Sequence, residues 1–330
     1  MDIFIKSFNR PYYLERCLHS IRRFVIGSYK ITILDDGTPP EYMNKISTVF
    51  PDVLIKKSDQ YESKIQAIKN HRPSERSIPA ALWYNSIQQA STIFLLLEED
   101  AWLTHPIDLQ EVNMTMSQHN LAMVKISWNG AHSMVDGKSI ARSQSIDEFI
   151  PVIPNVPLFL LKPFLYNTLK IKSILNRSGL VTINSLLPYY RLYTVTSAFF
   201  NKEYWIWLWS DTSNQVSEGH QLFRAVQWKK NKKARYGKSQ QEKVQTSFIT
   251  ASENRLRKIQ FDMQRLHYEL NHAWLKGKLD SLQNYPMDFS RDYLKSFLSN
   301  EHPACTGIRW DRWVDEFKSI YRAVGCNVDN

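Results

Sequence analysis

Cysteine is nearly missing from this chain. Among 330 residues only Cys17, Cys305 and Cys326 occur, an odd number without metal-ligand spacing. That excludes a disulfide-stapled fold and a cysteine-held zinc site, and it predicts reduced thiols in a cytoplasmic protein. Long apolar runs are missing too: none approaches the ~20 residues that a membrane-spanning helix needs. The chain starts directly on a strand-like segment, so no signal peptide is expected. No glycine-rich loop follows that first strand. Helix-turn-helix, zinc-finger and RNP patterns are absent, as are internal repeats and low-complexity tracts.

What is present is a folded and basic chain. Hydrophobic residues make up 43% and aromatics 13%, which excludes a disordered polymer. The formal charge is +10, from 42 Lys+Arg against 32 Asp+Glu. Such an excess suits nucleic acid, an anionic membrane or a phosphorylated substrate. With no nucleic-acid motif to accompany it, nucleic acid is not expected as a partner.

The most informative stretch is 93–106, IFLLLEEDAWLTHP. Its apolar run suits a short strand buried on both faces of a parallel sheet. Glu98, Glu99 and Asp100 then fall at the carboxyl end, where open α/β sheets bind ligands. Three carboxylates at one point repel each other unless a cation joins them. Alone, the motif reads equally well as a solvated acidic loop.

The first forty residues repeat the arrangement. Residues 2–6 (DIFIK) read as a strand and 7–10 (SFNR) as a turn, and Pro11 suits the first position of a helix. Leu14, Leu18, Ile21 and Val25 recur at helical spacing. Residues 30–34 (KITIL) form a second strand that ends in Asp35 and Asp36. Strand, helix and strand with short turns make a βαβ unit, whose strands run parallel with a right-handed crossover. Both acidic clusters therefore lie along one carboxyl edge.

At this point the chain resembles a family. SFNRPYYLERCLHSI followed by ILDDGT is similar to the start of GT-A glycosyltransferases of the large family 2 type, and LLLEEDAWL to their Asp-x-Asp motif in a Glu-containing form. The likeness is good over 1–40 and 92–106, loose to about residue 225, and absent beyond. It implies an α/β GT-A fold, with a Rossmann-like, mostly parallel sheet flanked by helices. It also implies a nucleotide-sugar donor, UDP being the usual one, and a divalent metal, Mn²⁺ or Mg²⁺. Asp100 would be the direct metal ligand with Glu98 assisting. Ser7, Asn9, Arg10, Asp35, Asp36 and Glu99 would line the donor crevice. The family's Ala-Arg-Asn-x-Gly helix appears only as Asn85, without the arginine and glycine.

An inverting transferase needs a general base for the acceptor hydroxyl. In the family that carboxylate lies in a Glu-Asp-x-Asp-Leu-like motif, and SEGHQL at 217–222 stands in the corresponding place. Glu218 and Leu222 match; glycine and glutamine replace the two aspartates. Glu218 is the expected base, with Asp211 in reserve, although an acid in a helix's first turn is also favoured by the dipole alone. His220 is a weaker candidate. No histidine stands near 235–237, where the family often supplies a further metal ligand.

Other segments carry less chemistry. Strands are predicted near 53–56, 121–127 and 195–200, and a helix near 80–90. The positively charged stretch 60–79 reads as a surface loop or as a flap whose cations face a diphosphate. Prolines 151, 154, 157 and 163 break the apolar run 149–175, which reads as a buried connection, a membrane-resting loop or an acceptor lid. Residues 204–209 (YWIWLW) suit a core more often than a sugar platform. The basic run 229–243 reads as a linker or solvated loop, alternatively as a contact for anionic lipid. Two amphipathic helices follow, one marked by residues 256–273 and one by 310–321; they suit packing on the catalytic domain or on a second subunit. The expected organisation is thus a catalytic domain over 1–228 and a basic linker with a mainly helical extension over 229–330.

The resulting expectation is a metal-dependent, inverting, cytoplasmic glycosyltransferase, peripheral at the inner face of the plasma membrane. Its acceptor would be a growing surface glycan or a lipid-linked oligosaccharide. The alternatives are a non-catalytic binding protein on a degenerate transferase domain and a nucleotidyltransferase on a related fold. The latter usually carries the glycine-rich loop that this chain lacks.

Overall fold

Each strand that the apolar runs predict is present in the computed structural model, which describes residues 1–70, 72, 77–195, 197–210, 218–254, 256, 258–299 and 301–329. Along the chain, β1 (Asp2–Ser7), α1 (Pro11–Phe24), β2 (Val25–Ile26), β3 (Lys30–Asp35), α2 (Pro40–Val49), β4 (Leu54–Lys57) and α3 (Tyr61–Lys69) come first. Then follow α4 (Ala80–Gln88), β5 (Ile93–Glu98), β6 (Ala101–Leu103), β7 (Ile107–Asp108), α5 (Leu109–Gln118) and β8 (Leu121–Lys125). The middle holds β9 (Gly137–Arg142), β10 (Ile146–Pro151), α6 (Leu158–Leu165), α7 (Ile171–Arg177) and α8 (Leu187–Tyr190). After β11 (Ala198–Asn201) come α9 (Lys202–Trp209), α10 (Glu218–Lys232), β12 (Arg235–Ser239) and β13 (Val244–Thr246). The chain closes with α11 (Met263–Leu275), α12 (Arg291–Lys295) and α13 (Gly307–Arg322).

Nine strands form the central sheet in the order β4-β3-β1-β5-β11-β8-β12-β10-β9. The first four pair in parallel, with Ser7 opposite Asp35 and Lys6 opposite Glu98. β11 runs antiparallel between β5 and β8 and joins the two halves. Alternation along the strands divides the core. Ile3, Ile5, Ile33, Leu95 and Leu97 face the layer of α1, α2 and α5. Phe4, Leu34, Phe94 and Leu96 face the layer of α4, α6, α9 and α10. Each fully buried Leu or Ile contributes about 1.5–3 kcal/mol, and both faces must be covered for such runs to remain strands.

Several expectations change. The basic run 229–243 is not a linker: its lysines finish α10, and β12 enters the sheet with Tyr236 fully buried against Tyr204, ring centroids 5.9 Å apart. Stretch 60–79 begins as a helix, α3, with Lys64 buried beneath it; Arg76 lies outside the described residues. The helix read from residues 256–273 starts only at Met263, because the Asp262 side chain accepts from Arg265 N at 2.9 Å and caps it. Leu256 and Ile259 still pack on the core ahead of it. Trp274, Trp310 and Trp313 from α11 and α13 belong to the same apolar cluster as α1, so the C-terminal helices pack on their own chain.

Candidate active site

The two acidic clusters meet at one edge of the sheet, but their side chains do different work. Asp35 is fully buried and closes its own turn, accepting from Thr38 N at 2.9 Å and Thr38 Oγ1 at 2.6 Å. Burial raises its carboxyl to about 6. Asp36 accepts from Ser58 Oγ at 2.7 Å and pairs with Lys64. Gly37 between them and the helix is forced: its φ is +139°, and a Cβ would lie 2.7 Å from the Lys64 Cβ.

Arg10 supplies the cation that joins two of the three acids. Its Nε lies 2.8 Å from Glu99 Oε1, and one terminal nitrogen lies 2.7 Å from Asp100 Oδ2. Burial opposes the guanidinium's charge, yet Asp100 and Glu99 outweigh it and keep the group protonated. Burial also lifts Glu99 to about 7 against the pull of Arg10, and raises Asp100. Asn9, in left-handed backbone at φ 54°, accepts from Asn271 Nδ2 at its carbonyl (3.0 Å) and its side chain (2.9 Å). Asn9, Arg10, Asp35 and Glu99, expected to line the donor crevice, are buried, and their side chains brace the turns at the strand ends. Ser7 is buried as well. The reason is common to the first four: short turns at the end of a two-faced sheet bury their polar groups, which must then find partners inside.

Glu98 turns to the other layer. Lys6 Nζ donates to Glu98 Oε1 at 2.8 Å and to the Val195 carbonyl at 2.7 Å, and lies 5.0 Å from the Trp83 ring centroid. The Glu98 side chain remains 32% exposed. Trp83, not Asn85, is the α4 side chain that meets Lys6. Asn85 is exposed, some 200° further round the helix, and is not brought to the site.

Glu218 opens α10 and accepts a hydrogen bond from Tyr190 Oη at its Oε2. The helix start is positioned by close packing, since a Cβ on Gly219 would lie 2.0 Å from the Leu165 carbonyl oxygen. Lys125, at the end of β8, donates to the carbonyls of Tyr190 and Met134 and holds the tyrosine segment. Burial lowers this amine to about 7. Tyr193 is raised well above its ordinary value, first by burial, then by the nearby charges of Glu218, Tyr190 and Glu98. Tyr193 thus stands within electrostatic reach of both Glu98 and Glu218. Asp211 lies outside the described residues. Lys6, Trp83, Tyr190 and Tyr193 were not read from the sequence. A lysine on the same strand face as Phe4 was the one visible signal.

Among the described residues no group of three or more His, Cys, Asp or Glu side chains is placed to hold a metal ion. The donor set available is smaller. Asp100 Oδ1 is a buried oxygen without a partner, and Glu98 lies close enough to raise the Asp100 carboxyl. One or two carboxylates with substrate phosphates and water is the ordinary way of holding Mg²⁺; Asp100 and Glu98 would be the donors here, each already paired with a cation, Arg10 and Lys6.

No protein-family model and no curated protein matches the chain. Solved structures do. The chain is similar to S. aureus TarS 1-349 in complex with UDP-GlcNAc, at 12% identity and a TM-score of 0.41, over 96% of this chain and 80% of that one. It is similar to the same protein in complex with UDP at 10% identity and a TM-score of 0.42, over 90% and 70%. The apo WbbM bifunctional glycosyltransferase is 11% identical with a TM-score of 0.36, over 68% of this chain and 37% of that one.

Proposed function

We propose that this chain is an inverting glycosyltransferase of the cytoplasm that moves a sugar from a nucleotide diphosphate, UDP by the resemblance of its motifs, to a hydroxyl. The acceptor is a growing surface glycan or a lipid-linked oligosaccharide. The observation that supports the reading is that β3 and β5, whose ends carry the two acidic clusters, pair in parallel with β1 on either side, with Ser7 opposite Asp35 and Lys6 opposite Glu98.

Glu218 takes the acceptor proton as the hydroxyl oxygen attacks the anomeric carbon and the bond to the diphosphate breaks. Tyr190 orients the carboxylate by donating to one of its oxygens. Lys6, beside Glu98, presents positive charge toward the departing phosphates. A Mg²⁺ or Mn²⁺ ion, held by Asp100 and Glu98, would neutralise the charge that the leaving group gains. Arg10 keeps the motif's turn in place from below.

Donor hydrolysis and transfer assays across UDP-, GDP- and CMP-sugars test this. Nucleotide release from one donor class, lost in Glu218→Gln while nucleotide binding persists, is the expected result. No release from any donor, with nucleotide still bound, would leave a binding protein instead.

A further inference from the structure

Between β10 and β11 the chain makes its longest excursion from the sheet, and that excursion is chemically one-sided. From residue 149 to residue 202 there is no aspartate or glutamate, while Lys162, Lys170, Lys172, Arg177, Arg191 and Lys202 all fall there. Five large hydrophobic side chains among the described residues are exposed by 60% or more: Phe159 (75%), Leu169 (86%), Ile174 (60%), Leu180 (75%) and Ile308 (71%). Four of the five lie between residues 158 and 181. Single exposed apolar side chains are ordinary, but a cluster of them is not.

The inner side of this segment is anchored. Leu161 and Leu165 of α6 are buried, and Leu165 lies on the first turn of α10 at Gly219. The outer side is not. α7 has no buried residue, and left-handed backbone at Asn167, Leu169 and Lys170 turns the chain between the two helices. Lys170, Lys172 and Arg177 form no ion pair with a described residue. The basic run of α10 and β12 is more engaged: Arg235 pairs with Glu148 at 2.9 Å, and Lys230 donates to the Val156 carbonyl at 3.2 Å. The basic run 229–243, where lipid contact was expected, carries no large exposed apolar side chain among the described residues, whereas the excursion does.

We propose that residues 158–181 are a docking surface for an anionic lipid bilayer. Phe159, Leu169, Ile174 and Leu180 enter the headgroup region, and Lys170, Lys172 and Arg177 meet lipid phosphates. Charge complementarity selects this occupant. A second copy meeting the patch about a two-fold axis would set cations against cations, with no acid in the segment to offset them. No helix of the described residues is long and apolar enough to cross a membrane, so the contact is peripheral. The first turn of α10 packs on the buried side of α6, at Leu165. The docking itself does not rest on the transfer chemistry.

Flotation of the full chain with vesicles of phosphatidylglycerol and phosphatidylcholine, against phosphatidylcholine alone, tests it. The chain is expected to float with the anionic vesicles only and to be released by high salt. Each cation contributes roughly a fivefold change in binding, so Lys170→Gln/Lys172→Gln/Arg177→Gln should weaken it about a hundredfold. Leu169→Ser/Ile174→Ser/Leu180→Ser should also abolish flotation. These side chains lie outside the core, so circular dichroism and nucleotide binding should stay at wild type. Equal flotation with both vesicle types, none with either, or variants that float like wild type would overturn the proposal. So would a dimer in light scattering that the serine variant converts to monomer.

Discussion

Lys6 and Glu98 stand opposite each other on paired strands, with Nζ 2.8 Å from Oε1. A buried lysine stem thus delivers its charge to the carboxyl end of the sheet, where the proposed donor's phosphates lie. Lys6→Met is expected to weaken UDP binding by about ten- to a hundredfold, the worth of a hydrogen bond to a charged group. Stability should fall by about 1–3 kcal/mol, because the Val195 carbonyl also loses its donor while Glu98 stays partly in water. Calorimetry that finds UDP bound as tightly by Lys6→Met as by wild type would remove Lys6 from the site.

Divalent ion and nucleotide should bind together. UDP affinity is expected to rise on adding Mn²⁺ or Mg²⁺, and Asp100→Asn should abolish the rise while Arg10 keeps its contact with Glu99. Titrations in EDTA that give the same affinity would show that the partnerless oxygen of Asp100 serves no metal.

Glu218→Gln should lower turnover by ~10²–10⁴-fold, the usual loss for a general base, with UDP binding near wild type. Tyr190→Phe removes the hydroxyl that orients this carboxylate and should lower turnover less than Glu218→Gln does, with UDP binding near wild type. An active Glu218→Gln beside an inactive Asp211→Asn would transfer the role of base to Asp211.

His267 makes stability depend on pH. Its ring is buried, and Nε2 lies 2.8 Å from the Ala251 carbonyl oxygen. Burial, and then the charge of Arg10, lower it from 6.5 to about 3. Below about pH 6.5 the unfolded chain takes up a proton that the folded chain refuses. The stabilisation is full above that value and is lost as pH falls toward 3, at up to about 1.4 kcal/mol per pH unit. Denaturant titrations between about pH 6 and pH 4 should give a flatter profile for His267→Gln than for wild type. Parallel profiles would mean that the histidine is protonated in both states.

How much of this was legible depends on the range of the interaction. The βαβ start and the β5 strand are local patterns, and the register Ser7 opposite Asp35 follows once the strands are parallel. Periodicity in a single helix, α13, was likewise readable. The contact of Tyr190 with Glu218 was not, since it depends on how α8 and α10 meet in space. Nor was the fate of Glu99 and Arg10. The same residues can face a ligand or brace a turn, and burial alone decides between them. The basic run misled because charge was counted without its partners: Tyr236 makes its second half a strand.

The antiparallel strand β11 carries one more consequence. It is held by β5 on one side and β8 on the other, whatever the chain has done since leaving β10. The excursion between those strands is tied to the core along its inner side, by Leu161, Leu165, Tyr190 and Tyr193, and is free to vary only along its outer side. Its outer residues can drift under selection without disturbing the sheet that holds Lys6 and Glu98. A lineage of such proteins would inherit its donor chemistry conservatively and diversify in what its excursion touches.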